Sequence, residues 1–153
     1  MPKIDAAALP VKSGTGYPQP YRALVKGRSW LALGDAAGLT QFGVNLVTLA
    51  PGAGSSQRHW HEAEDEFVIV MSGELVLIED EGETVMRAGD AAGFKAGVAN
   101  GHHLINRSAG HASFLVVGSR AEAERCHYPD IDLRYEGDGE GERFVNRAGE
   151  AYK

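Results

Sequence analysis

Short apolar runs separated by glycine-rich turns set the character of this chain. Between residues 41 and 50, Phe42, Val44 and Leu46 alternate with Gly43, Asn45 and Val47. A period of two predicts a strand, and Pro51-Gly52-Ala53-Gly54 predicts its end. Further strands are expected over residues 24–33, 66–71, 74–78, 84–87, 91–94, 102–106 and 112–117. Ser72-Gly73 and Asp80-Glu81-Gly82-Glu83 read as hairpin turns. No amphipathic helical run interrupts the series, so the pattern is that of an antiparallel sandwich or barrel, an all-β domain over residues 24–119.

The two ends have a different character. Residues 1–23 include Gly14, Gly16, Pro18 and Pro20, which exclude a regular helix and predict an extended arm. Residues 120–153 are expected to be a tail that packs on the barrel or on a partner subunit. Within it, residues 120–125 suggest one helical turn, 128–133 an extended stretch and 137–142 a flexible acidic loop. With few apolar side chains, this tail is not expected to form a core of its own.

Composition narrows the function classes. The 153 residues suit a single core, and the 20 glycines are spread along the chain as turns require. A net charge of −6 with scattered Lys and Arg argues against nucleic acid and anionic membrane as partners. No stretch has the apolar length of a membrane span, and the N-terminal residues lack the apolar core of a signal peptide. One cysteine, Cys126, fits a reducing compartment. The expected location is therefore the cytoplasm.

The chemistry concentrates in Arg58-His59-Trp60-His61-Glu62-Ala63-Glu64-Asp65-Glu66. On a strand, His59 and His61 point to one face; on a helix they would stand about 200° apart. Glu66 opens the next predicted strand and can return its carboxylate to the same point. Imidazoles and a carboxylate together suit a divalent metal. A second stretch, Asn100-Gly101-His102-His103-Leu104-Ile105-Asn106, can supply a fourth ligand. The two stretches hold four of the six histidines.

These stretches resemble the two signature motifs of the cupin superfamily, a metal-binding double-stranded β-helix or jelly roll. His59-Trp60-His61, four residues, Glu66, six residues and Gly73 match the first motif, whose leading glycine falls between Gly52 and Gly54. Gly89, Gly97, His102 and Asn106 follow the second, with Lys95 at its proline position and a loop two residues longer before His102. The resemblance covers roughly residues 41–118 and extends to small bacterial single-domain cupins, some labelled sugar-phosphate isomerases by analogy. It implies His59, His61, Glu66 and His102 as ligands, with His103 as the alternative to His102. It also implies one divalent metal among Zn, Fe, Mn, Ni and Co, with one or two positions open to substrate.

Asn45, Gln57, Trp60 and Asn106 are expected at the pocket rim, and Lys95 and Arg107 as cations near its mouth. Cys126 and His127 are not expected at the metal. The leading function is a metal-dependent isomerase, oxygenase or lyase acting on a small oxygenated or anionic metabolite. The alternative is a non-catalytic small-molecule-binding or sensor module. A metal-free epimerase is a third reading, which needs a histidine base with a carboxylate partner. A homodimer is expected, with residues 8–24 or 120–150 crossing the interface.

Overall fold

The computed structural model describes residues 2–153. Its strands are β1 (Lys12–Ser13), β2 (Arg28–Ala32), β3 (Phe42–Leu49), β4 (Trp60–His61), β5 (Glu66–Ser72), β6 (Glu74–Glu79), β7 (Gly82–Arg87), β8 (Ala91–Phe94), β9 (His103–Ile105), β10 (Ala112–Ser119), β11 (Glu124–Tyr128), β12 (Leu133–Gly137) and β13 (Glu142–Val145). One short helix, α1 (Leu33–Ala36), follows β2, where the sequence suggests continued strand and then a turn. Short 3-10 turns occupy Ala6–Ala8 and Ala23–Val25.

A six-stranded sheet runs β1-β2-β3-β10-β5-β8, and a three-stranded sheet runs β7-β6-β9. Between them lie Val47, Leu49, Val68, Val70, Leu75, Leu77, Met86, Leu104 and Phe114, all buried. The register explains which residues face in. Asn45 pairs with Val116 and Val47 with Phe114 on β10, and these pair onward with Val68 and Val70 on β5. Glu66 lies two residues before Val68, so the pleat turns it toward the same interior. The turn from β5 to β6 requires Gly73, at φ 74°, because a Cβ there would sit 2.8 Å from Ala112 Cβ.

The C-terminal residues depart from the expected single helical turn and flexible loop. β11, β12 and β13 form an antiparallel meander that adds to β4. Alternation explains the departure: Glu124, Cys126 and Tyr128 face in while Arg125 and His127 are more exposed, a period of two that outweighs the helix propensity of Ala and Glu. Residues 129–132 make the β11–β12 turn. The acidic stretch is an ordered hairpin turn in which Asp138 Oδ1 accepts from the Glu140 and Gly141 N–H groups. A second core forms here: Tyr17 and Val25 from the N-terminal part pack with Cys126, Tyr128 and Leu133.

β4 sits at the seam between the two cores. Cys126 pairs with His61 and His127 with Trp60. On the other side, bridges from His59 to His102 and from Gly54 to Ile105 hold the stretch against β9. Among the described residues no helix is long and apolar enough to cross a membrane.

Candidate metal centre

The seam brings ligand atoms of His59, His61 and Glu66 within 4.8 Å of one another, and His102 joins them through Glu66. His61 Nε2 lies 3.1 Å from His59 Nε2 and 3.0 Å from Glu66 Oε2. That same carboxylate oxygen is 3.4 Å from His102 Nε2 and 3.9 Å from His59 Nε2. Donors sharing one cation at about 2.0–2.2 Å stand roughly 3.0–3.6 Å apart, so most of these spacings fit a common ion. Two imidazole nitrogens this close also require a proton or a cation between their lone pairs. The donor set therefore fits a divalent metal.

Each ring is oriented through its other nitrogen. His59 Nδ1 lies 2.8 Å from the Gln57 carbonyl and His102 Nδ1 lies 3.3 Å from the Asn100 carbonyl. Both Nδ1 atoms then donate, which leaves the Nε2 lone pairs for the centre. His61 Nδ1 instead meets Cys126 Sγ at 3.1 Å, with Glu124 Oε2 at 4.0 Å. His102 also lies flat on Phe94, with ring centroids 3.5 Å apart. Arg58 ties the loop carrying His102 to the frame: Nη1 donates to the Gly101 carbonyl at 2.9 Å and to Asp80, while Nε and Nη2 meet Asp130 at 2.8 Å.

The electrostatics follow from burial and contact. Burial lowers the His59 pKa to about 4, so this imidazole is neutral at pH 7. Burial also opposes charge on His61, but the Cys126 sulfur and the Glu66 carboxylate outweigh it and raise its pKa. Burial alone would lift Glu66; the His102 and His61 imidazoles beside it hold its carboxyl well below the usual range. Burial pushes the Cys126 thiol up, so its sulfur is neutral.

The remaining residues named from the sequence separate into two groups. Asn45 lines a cavity of about 280 Å³ that also touches His59, Glu66, His102, His103, Arg28 and Trp30. Trp60 borders a smaller cavity of about 200 Å³ with His61, His102 and Lys95, and stacks on His127 at 4.4 Å. Gln57 and Asn106 hold backbone. Gln57 Nε2 donates to the Tyr21 carbonyl at 3.0 Å. Asn106 is fully buried and donates to the Leu49 and Gly110 carbonyls. Arg107 pairs with Glu83 on the surface. His103 Nδ1 lies 2.8 Å from the Ser56 carbonyl, and it is the Nε2 of His102 that reaches Glu66.

Sequence reasoning missed Arg28, Glu124 and Cys126. The alternation of Glu124, Cys126 and Tyr128 signals a strand, but nothing local says that this strand pairs with β4. Cys126, expected away from the metal, touches His61. Glu124 Oε2 is buried with no hydrogen-bond partner, and His61, Glu124 and Cys126 offer ligand atoms within 4.8 Å of one another.

A small all-antiparallel β-barrel with three histidines and a glutamate converging inside it defines a class, and this chain belongs to the cupin superfamily. The model of the cupin domain, Cupin_2, matches residues 45–118. A crystal structure from Silicibacter pomeroyi, described as a sugar phosphate isomerase from a cupin superfamily, is 48% identical. Its match covers 97% of this chain and 95% of that one, with a TM-score of 0.95. A second protein, from Acidithiobacillus ferrooxidans and given the sugar phosphate isomerase label provisionally, is 30% identical over 79% of this chain and 77% of its own, with a TM-score of 0.74. The polyketide cyclase from Streptomyces resistomycificus shares the fold at 20% identity, covering 78% and 79% of the two chains with a TM-score of 0.63. No curated protein sequence matches the chain.

Proposed function

We propose that His59, His61, Glu66 and His102 hold one divalent transition metal, and that the protein is a metal-dependent isomerase of small hydroxylated metabolites. The observation that carries this reading is the convergence of three Nε2 atoms and one carboxylate oxygen beside a largely apolar cavity. Such a cavity offers apolar walls with a few convergent polar groups to orient a ligand. The label carried by the Silicibacter pomeroyi relative, at 48% identity, supports an isomerase over an oxygenase or lyase.

A divalent cation held there would supply Lewis acidity to a substrate's carbonyl and hydroxyl oxygens. The chain itself offers a base. His103 lines the same cavity, and its Nδ1–H is engaged by the Ser56 carbonyl, so Nε2 carries the free lone pair. Burial lowers the His103 pKa and keeps that ring neutral. His103 Nε2 takes the proton from the carbon beside the carbonyl and returns it to the former carbonyl carbon, while a hydroxyl proton moves between the two oxygens. No electrons leave the substrate.

The test has two parts. Elemental analysis of protein purified without affinity metal should find stoichiometric metal, lost in His59→Ala. Aldose and ketose phosphates in D2O should then gain deuterium next to the carbonyl, read by proton NMR. His103→Gln should retain metal and lose exchange. Absence of metal in the wild type would sink the site; metal without exchange on any sugar phosphate would sink the isomerase reading.

The partner of this chain is a second copy of itself. The outward face of the six-stranded sheet is apolar: Leu46, Leu115 and Ile69 form one row, and Val44, Val117 and Phe67 the next. Phe67 is 43% exposed. An apolar sheet face of this kind calls for cover. Light scattering should give a dimer, and Phe67→Lys a monomer; a monomeric wild type would refute it.

A further inference from the structure

The cavity contains a cation that no acid answers. Arg28 lines it, on the strand face that also carries Trp30. Arg28 Nη1 donates to the Ser55 carbonyl at 2.8 Å and Nη2 to the Gly14 carbonyl at 3.0 Å. Its guanidinium carbon lies 5.2 Å from the centre of the Trp30 ring. Nε is buried with no partner. Among the described residues no carboxylate lies within ion-pair distance of this guanidinium; Arg22 and Arg147 also lack one, but only Arg28 lines the cavity and has a buried guanidinium nitrogen without a partner. A guanidinium has five N–H donors, and carbonyl dipoles answer only two of them here. A half-buried charge left in that state is costly unless an anion completes it.

The rest of the cavity supplies complementary groups. Among the described residues the Asn45 side chain makes no hydrogen bond, and it lines the same space, two residues before Val47 on β3. Ser55 Oγ accepts from the Leu104 N–H, so its own proton is free to donate. Lys95, the cation expected near the mouth, borders the smaller neighbouring cavity instead.

We propose that Arg28 is the anion anchor of this cavity, and that the ligand is a small organic anion, a phosphate monoester or a carboxylate. Arg28 receives the charged group while the oxygenated end faces His59, Glu66 and His102. Planar, forked donors suit either oxyanion. The volume of about 280 Å³ limits the ligand to a small metabolite, because it lies at the lower edge of the usual 300–1,000 Å³ for small-molecule sites. This inference deepens the isomerase reading by naming its substrate class, and it rests on that reading for the role of the oxygenated end.

Phosphate binding to metal-stripped protein tests the anchor separately from the metal. Inorganic phosphate and acetate are titrated into the 15N-labelled wild type, Arg28→Gln, Arg28→Lys and Lys95→Gln, following the Arg28 Nε–Hε resonance where arginine is present. The wild type should saturate and shift that resonance. Arg28→Gln should bind at least about tenfold more weakly, as expected for loss of a charge-assisted pair. Arg28→Lys should fall between them, and Lys95→Gln should match the wild type. A stronger response to phosphate than to acetate identifies a phosphate monoester; the reverse identifies a carboxylate. An unmoved Arg28 resonance at saturating anion would overturn the proposal, as would equal affinity in Arg28→Gln. The resonance test needs no variant, so it stands even where Arg28→Gln fails to fold. Metal content measured in parallel reports on the metal reading alone, since loss of metal leaves phosphate titration of the stripped protein interpretable.

Discussion

The molecule has two cores that solve the same packing problem with different side chains. The barrel core is aliphatic: Leu49, Leu75, Val68 and Val70 are each 2% exposed or less. The second core is rich in tyrosine, with Tyr17 against Tyr128 and Phe144 in edge contacts at 5.9 and 5.5 Å. The barrel core is built from residues 47–114, while the second joins Tyr17 to Tyr128 and Leu133 across more than a hundred positions. Aliphatic side chains fill the space between two pleated sheets without polar atoms to satisfy. Tyrosines suit a shallower core, where the ring is buried and the hydroxyl finds a partner. Strand β4, which carries His61, lies between them, so one core holds up the barrel and the other holds His61 in place.

That division can be broken experimentally. The largest effect should come from the barrel core. Leu75→Ala, at a fully buried position, should destabilise by about 2–5 kcal/mol; urea unfolding measures it, and a loss much below 1 kcal/mol would mean the site collapses freely. Next are the groups that reach His61 from β11. Glu124→Gln and Cys126→Ala should each weaken metal binding about 10–100-fold, read by competition with a chromophoric chelator. Unchanged affinity would mean that β11 merely covers the strand. Tyr17→Phe removes the hydroxyl that accepts from the Gln57 N–H at 3.2 Å. It should cost about 1 kcal/mol, seen as a modest fall in melting temperature.

The smallest effect sharpens the picture at the surface. The Arg58 guanidinium holds the Asp130 carboxyl below its ordinary value. A depressed carboxyl pKa stabilises the fold above the unfolded value of about 3.9. That contribution fades as pH falls toward and through the lower folded value, because the unfolded chain then binds the proton more readily. Asp130→Asn should therefore lower stability at neutral pH, and the difference from wild type should shrink in acid below about pH 4. Asp130 is exposed, so the gap stays small. A gap that widens in acid would assign the pairing a different role.

The predicted strands between residues 66 and 117 are legible because each is bounded by turn residues and carries its own period. The histidine pair is legible for the same reason: His59 and His61 need only the pleat to share a face. The inward side of β3 is less legible. Phe42, Val44 and Leu46 look like the buried parity, yet Val47 and Leu49 are buried and Phe42 is 39% exposed. Apolar residues on both faces leave local alternation without a preferred side, and Asn45 on the cavity side makes the outer parity look more core-like than it is.

Sequence alone determined the things that depend on neighbours in the chain. These are the strand-and-turn rhythm, the His59–His61 pair with Glu66 after it, and the membership of a fold class that such spacing resembles. Tertiary structure decided what depends on register between distant strands: the contact of Cys126 with His61, the choice of His102 over His103 beside Glu66, and Arg28 in the cavity wall. Strand pairing is set by the free energy of whole sheets closing over a core, and a one-residue slip would turn each of these side chains to the opposite face. No short stretch of residues contains that information, because the partner that fixes the register lies tens of positions away.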